Sequence, residues 1–293
     1  MTDASLTPPP AADAAPAVPP PDVHLPVRRL RVDLSAGFPR TWAGDPWRTQ
    51  YFNALSMSFP VGEQFFIDAV KAGVETLPGD QQPAWREVVR GFVGQEATHR
   101  FLHAQFNAEL ARQGLVNRWE GWATWRIRRA AHLHPRNHVA VTAALEHYTA
   151  VLAKAMLTHP AWLQGADPQL ALMWRWHAVE ESEHKAVAFD LYRAMGGTQR
   201  RRIGWFLWVS VLFVMEATAQ TVLNLHRAGE LWKPRTWWLG LRWMLGPGGI
   251  VTTSLVPLLR YLRRDFHPDR EASPAEAAQW LQAQRDAYAI VGE

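Results

Sequence analysis

Hydrophobic residues return at intervals of three and four positions along the chain from Asp45 onward. Helices that bury one face show this spacing, whereas a half-buried strand alternates apolar and polar residues in steps of two. The pattern predicts an all-α protein without a convincing strand. Four long helices are predicted at residues 46–77, 82–113, 135–158 and 168–195.

Residues that start and stop helices agree with this periodicity. Asp167 followed by Pro168 is typical of an N-cap with proline in the first turn, and Gly196 with Gly197 ends the same helix. Ser273 and Glu276 have the spacing of a capping box, which predicts a last helix near the C-terminus.

The chain divides into three predicted parts. Residues 1–26 contain eight prolines and no periodic apolar pattern, so a disordered tail is expected there. Residues 27–197 form the predicted metal-binding helical bundle, and residues 198–293 form additional C-terminal helices, packed on the bundle or peripheral to a membrane. No basic residue precedes His24, so a secretory signal is not expected and the default compartment is the cytoplasm.

Composition narrows the chemistry of any site. The 293 residues include no cysteine, which excludes disulfides, thiolate ligands and cysteine nucleophiles and leaves His, Asp, Glu and neutral oxygen donors for a metal. The net charge is +4, but the basic residues are scattered among tryptophans and aliphatic residues and form no run of lysines. Nucleic-acid binding is therefore not expected.

Four glutamates fall on apolar helix faces, where a carboxylate without a positive partner is costly. Glu63 is the clearest case, because Phe59 and Phe66 flank it at helical spacing. The other three, on the next three long helices, are Glu96, Glu146 and Glu181.

Two of these glutamates begin an E-x-x-H unit, Glu96 with His99 and Glu181 with His184. Residues three apart share a helix face, so both side chains reach one metal ion. Composition alone gives about 0.6 such units by chance, so their order matters more than their presence. A lone Glu and an E-x-x-H alternate twice along four successive helices. Ferritin-like carboxylate proteins have this ligand set, which predicts a ferritin-like four-helix bundle with additional apolar C-terminal helices.

Four neighbouring carboxylates would repel one another or bind protons unless about four positive charges were supplied. Two divalent transition-metal ions would supply them. Iron is the first choice for these oxygen and imidazole donors, and manganese and zinc stay open. The predicted metal ligands are Glu63, Glu96, His99, Glu146, Glu181 and His184.

Five stretches of the chain share motifs with one family: Gly44–Pro46, Phe52–Ser56, Gly94–His99, Ala144–His147 and Trp176–Lys185. Over about residues 24–265 the chain resembles bacterial proteins called predicted metal-dependent hydrolases. The resemblance implies a metal-dependent enzyme. It further implies that Glu96 and Glu181 bridge two metals, that His99 and His184 bind one metal each, and that Glu63 and Glu146 are terminal ligands.

Two reactions fit such a centre. One is oxidation of a small hydrophobic substrate by a diiron centre that activates O2, and the other is metal-assisted hydrolysis, as the family's name implies. A non-catalytic metal store or sensor, and a membrane-associated helical protein whose buried acids are structural, are the alternatives.

Five side chains near the predicted ligands receive other interpretations. His147 lies about 100° around its helix from Glu146, which predicts a hydrogen-bonded structural histidine. His103 and His177 each share a face with a predicted ligand, so they either orient ligands or are additional ligands. Glu180 and Glu183 are expected to point elsewhere.

The chain contains sixteen tryptophans, and two apolar stretches mark its second half. Residues 117–131 combine Trp with Arg, and residues 203–225 and 237–262 approach the length of a membrane span but contain Glu216 and Arg242. Buried helices that cover the bundle or form an apolar substrate tunnel are expected. Peripheral membrane contact is the main alternative, and a second copy of the chain in a homodimer is a further candidate partner.

Overall fold

The computed structural model describes residues 19–20, 22–271 and 275–292. These residues are mainly helical, which confirms the all-α class. The elements in chain order are β1 (Arg28–Leu30), α1 (Pro46–Val74), α2 (Gln82–Arg112), α3 (Trp119–Ala130), α4 (Pro135–Thr158), α5 (Pro168–His184), α6 (Val187–Ala194), α7 (Gln199–Arg227), α8 (Pro234–Leu245), α9 (Ile250–Arg260), α10 (Ala275–Ala283) and β2 (Tyr288–Ile290).

Side-chain caps and glycines set several helix boundaries. Asp45 accepts a hydrogen bond from the Arg48 backbone N–H at the start of α1, and Asp167 accepts from Gln169 and Leu170 at the start of α5. Gly196, just after α6, has a φ of 72°, a left-handed conformation that glycine adopts without steric cost. The predicted N-cap at Asp167 and the stop at Gly196 are confirmed.

Pro60 lies inside α1, where it leaves the Ser56 carbonyl without its usual helical donor. The Asn107 side chain of α2 donates to this carbonyl at 2.9 Å. Asn107 also accepts a hydrogen bond from the Ser56 hydroxyl at 2.9 Å. The contact between α1 and α2 therefore satisfies a backbone group that the proline leaves free.

The long helices form a bundle in which α1 packs on α2, α4 packs on α5 and α6, and α1 contacts α4. The later helices cover one side of this bundle: α7 packs on α1 and α4, α8 on α1, and α9 on α4. One end of the bundle is closed by an aromatic cluster around Trp42, whose indole stacks on Trp174 at 6.2 Å and donates to Asn53.

Two predicted features are wrong in detail. The helix predicted at residues 168–195 is interrupted at Lys185 and Ala186, where neither a Gly nor a Pro marks the break in the sequence. The predicted absence of strands also fails, because β1 and β2 pair antiparallel with Arg28 opposite Ile290. A three-residue strand is too short to show an alternating pattern, and its partner is distant along the chain.

Two other expectations fall partly on undescribed residues. Most of the predicted tail at residues 1–26 and the Ser273 cap lie outside the described residues. Leu25, near the end of the predicted tail, is buried against the same core as Trp85 and Phe92 of α2.

Replacement of Phe106 tests the packing of the core around Trp42. Its ring is fully buried in α2 and lies against Phe38 and Trp42. We expect Phe106→Ala to lower the free energy of unfolding of the metal-free protein by about 3–5 kcal/mol, because it leaves a cavity. Urea unfolding followed by circular dichroism measures this change. Phe101→Ala on the same helix, where the side chain is 64% exposed, is the control and changes stability by under about 0.5 kcal/mol. Equal losses would contradict this packing.

Candidate metal centre

The six predicted ligand residues meet in the interior of the bundle, and none is more than 3% exposed. Four helices supply them: Glu63 from α1, Glu96 and His99 from α2, Glu146 from α4, and Glu181 and His184 from α5. One ligand atom each from Glu96, His99, Glu181 and His184 lies within 4.8 Å of the others, and the same holds for Glu63 with His99 and His177.

Glu181 lies between the two histidines of the E-x-x-H units. Its Oε1 is 3.6 Å from His99 Nδ1 and 3.9 Å from His184 Nε2. His184 Nε2 is also 3.6 Å from Glu96 Oε1, and its Nδ1 makes a 3.0 Å hydrogen bond to Glu146 Oε2. The predicted ligands from α2, α4 and α5 therefore contact one another at one place in the bundle.

Orphaned polar atoms test whether these residues fit a metal. Among the described residues, each of the six has at least one buried oxygen or nitrogen without a hydrogen-bond partner. The atoms are both carboxylate oxygens of Glu63 and of Glu96, Nδ1 of His99, Oε1 of Glu146, Oε2 of Glu181 and Nε2 of His184. Protonation would not satisfy them, because a carboxylic acid still needs an acceptor for its proton. Metal ions would use all of these atoms, so the donor set fits divalent cations.

The electrostatics show the cost of this cluster without a cation. Burial raises the pKa of Glu63 well above the ordinary carboxyl range, and Glu181 raises it further. Burial likewise raises the pKa of Glu96, with Glu146 the largest neighbouring contribution. Burial raises the pKa of Glu146 to about 7 despite His184 nearby. Each shift has the same main cause, burial of a carboxylate, which nearby positive charge offsets at most in part.

The two ligand histidines differ in their charge state. Burial lowers the pKa of His99 well below its ordinary value, so this ring is neutral and can bind a metal through Nδ1. Burial would also lower the pKa of His184, but Glu146 and Glu181 outweigh it and raise that pKa to about 9. The His184–Glu146 pair therefore holds a proton that a metal ion would displace.

The expectation that Glu180 points away from the site is wrong. It is fully buried, and its Oε2 lies within hydrogen-bonding distance of His99 Nε2 at 2.9 Å, which leaves His99 Nδ1 facing the other ligands. Arg28 of β1 donates to Glu180 and binds both oxygens of Glu183. Such a carboxylate behind a ligand histidine fixes the ring's orientation.

The reason for this error lies in α5. This helix is buried on nearly all sides, so it has no solvent face to which Glu180 could turn. The available sequence signal was that α5 has no stripe of polar residues that would form a solvent-facing side. Arg28, in contrast, lies far away along the chain, on a strand that pairs with β2 and packs on α2.

His103 and His177 form a buried hydrogen-bonded chain behind Glu181. His177 Nε2 lies 2.8 Å from Glu181 Oε1, His177 Nδ1 lies 2.7 Å from His103 Nε2, and His103 Nδ1 lies 2.8 Å from the Ser56 hydroxyl. All four ring nitrogens are therefore engaged. This arrangement favours orientation of Glu181 over direct ligation, since a metal bound to His177 Nε2 would replace the bond to Glu181.

His147 points out of the site, as the sequence indicates. Its Nε2 lies 3.3 Å from the carbonyl oxygens of Pro257 and Leu258 in α9, and burial lowers its pKa to about 4. It is a structural residue that joins α4 to α9.

An apolar cavity of about 230 Å³ leads from the ligand cluster toward α3 and α7. Glu63, Glu181 and His177 line its inner end. Most of its remaining wall is apolar or aromatic and includes Phe52, Leu55, Phe59, Leu145, Tyr148, Leu152 and Phe213. Arg126 and Glu216 form an ion pair in the wall between α3 and α7. An apolar molecule in this cavity would lie directly beside the ligand cluster.

Metal binding is expected to release protons at neutral pH. Glu146 holds a proton below about pH 7 and His184 below about pH 9, whereas a divalent ion binds the carboxylate and the neutral imidazole. Affinity for Zn²⁺ should therefore rise from about pH 6 to about pH 8. Titration calorimetry in buffers of different ionisation enthalpy measures the released protons, and Glu146→Gln should release fewer. Binding without proton release would contradict these charge states.

The family model described as predicted metal-dependent hydrolase matches residues 26–272. This range contains all six predicted ligands, the strand that supplies Arg28, and the helices that line the cavity. Neither a curated protein nor a solved structure shows a significant match to the chain. The length of the family match and the buried cluster of acids and histidines agree, and the chain belongs to the predicted metal-dependent hydrolase family.

Proposed function

We propose that this protein is an enzyme that holds two divalent transition-metal ions between α1, α2, α4 and α5 and acts on a small hydrophobic substrate. The observation that carries this proposal is the set of orphaned buried atoms on all six predicted ligands. Structural acids would instead have donors, as Glu180 has from Arg28 and His99. Two divalent ions would balance the formal charge of four carboxylates.

The cavity supports an enzyme over a metal store or sensor. Storage needs a path for hydrated ions, whereas most of the wall here is apolar and aromatic. Phe59 packs against His103 and His177 at centroid distances of 4.6 and 4.8 Å, so it shields the hydrogen-bonded chain beside the cavity. The walls would hold an apolar substrate against Glu63 and Glu181 and exclude water from the reacting position.

Oxidation of that substrate with O2 is the reaction we favour. A pair of ferrous ions, when bound, supplies the electrons for O2 reduction, and carboxylate-rich helical bundles hold such ions. The chain's own contribution is orientation: Glu180 fixes the His99 ring and His177 fixes the Glu181 carboxylate. The apolar wall also places few competing groups near a reactive oxidant.

Metal-assisted hydrolysis is the second candidate, and the family's description favours it. Divalent ions at the same ligands would lower the pKa of a bound water and polarise a scissile bond. A substrate with an apolar body and one ester or amide group would fit the cavity equally well.

Replacement of one predicted ligand tests the centre. We expect Glu96→Gln to lower the iron content from about two ions per chain to one or none, because a neutral amide is a poor ligand. Mass spectrometry of the desalted, iron-loaded protein gives the content. Glu87→Gln, on the exposed face of the same helix, is the matched control and should retain both ions. Full retention by Glu96→Gln would contradict the proposed site.

Oxygen consumption separates the two reactions. Protein loaded with Fe²⁺ without air should, after exposure to O2 and a reductant, consume O2 continuously, and Glu96→Gln should lose this activity at least about a hundredfold. If Zn²⁺-loaded protein instead cleaves a p-nitrophenyl ester in a Glu96-dependent manner, and the iron form consumes no O2, hydrolysis is the function. Uptake of many iron ions per chain would indicate a store.

A further inference from the structure

Exposed hydrophobic side chains are concentrated in one region of the protein. Among the described residues, 18 large hydrophobic side chains are exposed, and 14 of them lie between Leu207 and Leu259. We call these 14 the docking face: Leu207, Trp208, Val211, Val214, Met215, Leu223, Trp232, Trp237, Trp238, Leu241, Leu245, Leu255, Val256 and Leu259. Single exposed apolar residues are ordinary, but a large contiguous set marks a contact surface.

The outward stripe of α7 is apolar where a solvent-facing helix would be polar. Leu207, Val211, Val214 and Met215 follow one another at helical spacing and are between 51% and 59% exposed. The C-terminal helices expected to be buried against the bundle therefore leave this side exposed. Nothing in the periodicity of an apolar helix tells which of its sides the bundle covers.

The inner stripe of α7 is fixed to the bundle by polar contacts. Gln220 accepts from the backbone N–H groups of Arg118 and Trp119, and Asn224 donates to the Gln50 carbonyl. Of the described helices, α7 alone has the length and composition to cross a membrane, and a third of its most apolar window is buried. Because its inner side binds α1 and α3, lipid can reach its outer side but not surround it.

The other two helices extend the same surface. Leu241 and Leu245 of α8 and Val256 and Leu259 of α9 are between 49% and 60% exposed. Since α7, α8 and α9 all pack on α1 or α4, their outer sides face away from one side of the bundle.

Positive charge is also concentrated in the part of the chain that forms the docking face. Residues 199–264 contain ten basic and two acidic residues, a net charge of +8, so the remainder carries −4 within the total of +4. Both acidic residues are in ion pairs, Glu216 with Arg126 and Glu230 with Lys233. The Arg242 guanidinium lies 5.5 Å from the centre of the exposed Trp238 ring. Basic and Trp residues around an apolar face complement an interface of anionic headgroups over acyl chains.

We propose that the docking face binds the surface of a bilayer that contains anionic phospholipid. Trp208 belongs both to the docking face and to the lining of the cavity beside the ligand cluster. A hydrophobic substrate would thus enter from the bilayer. That last consequence rests on the proposed function, whereas docking itself does not and is expected with or without bound metal.

Vesicle binding of the full chain tests the proposal. We expect the protein to sediment with vesicles of phosphatidylcholine and phosphatidylglycerol, more weakly with phosphatidylcholine alone, and less as salt increases. Val214→Glu in α7 and Leu241→Glu in α8 should each lower the partition coefficient about tenfold or more. The matched control is Phe101→Glu in α2, because Phe101 is 64% exposed and Leu241 60%.

Other outcomes would overturn the proposal. Failure of the wild-type protein to bind the anionic vesicles, equal binding to both vesicle types, or an equal loss in Phe101→Glu would each do so. A stable dimer that Leu241→Glu converts to a monomer, without vesicle binding by either, would show that a second copy covers the face. Circular dichroism verifies that the variants are folded. Vesicle binding by Glu96→Gln keeps this test independent of the metal centre.

Discussion

The structure depends on four carboxylates placed next to one another in the buried interior of the bundle. Such a cluster is unfavourable unless protons or cations neutralise it, which is why the pKa values of Glu63, Glu96 and Glu146 are raised. The bundle can place one acid from each of four helices at this point because the remaining faces of those helices pack as an ordinary apolar core. The stability of this cluster therefore depends on the protons or cations that neutralise its charge.

Two hydrogen-bonded systems hold residues of this cluster. One runs from Arg28 through Glu180 to His99, and Arg28 lies on β1, which pairs with the distant strand β2. The other runs from Ser56 through His103 and His177 to Glu181. Both act on the residues between which a metal ion would lie, so they position the ligands before any ion binds.

The second system also connects the candidate site to the backbone of α1. Pro60 frees the Ser56 carbonyl, and Asn107 donates to that carbonyl while it accepts from the Ser56 hydroxyl. The same serine contacts His103. A break in the hydrogen bonding of one helix thus becomes part of the support for the site.

Helix α7 also has two roles. Polar residues bind one of its sides to the bundle, where it lines the cavity, and its other side exposes apolar residues at the surface.

Local signals were sufficient for much of the fold. Helical periodicity, the Asp167 cap and the Gly196 stop each arise from residues within one or two turns, and these predicted the long helices. The same periodicity placed Glu63, Glu96, Glu146 and Glu181 on inward faces, because a helix converts spacing along the chain into direction in space. No comparable rule exists for contacts between distant segments.

Tertiary structure alone decided the remainder. It paired Arg28 with Glu180, because strand pairing between the chain's ends is not encoded in either three-residue strand. It also decided that Glu180 faces His99, since α5 is enclosed on nearly all sides. For α7, α8 and α9, sequence determined that they are apolar helices, but only packing against α1 and α4 determined which side is covered and which is exposed. Burial of an apolar side is favourable for each of these helices. The packing geometry determines which side the bundle buries and which side is left exposed for a partner outside the chain.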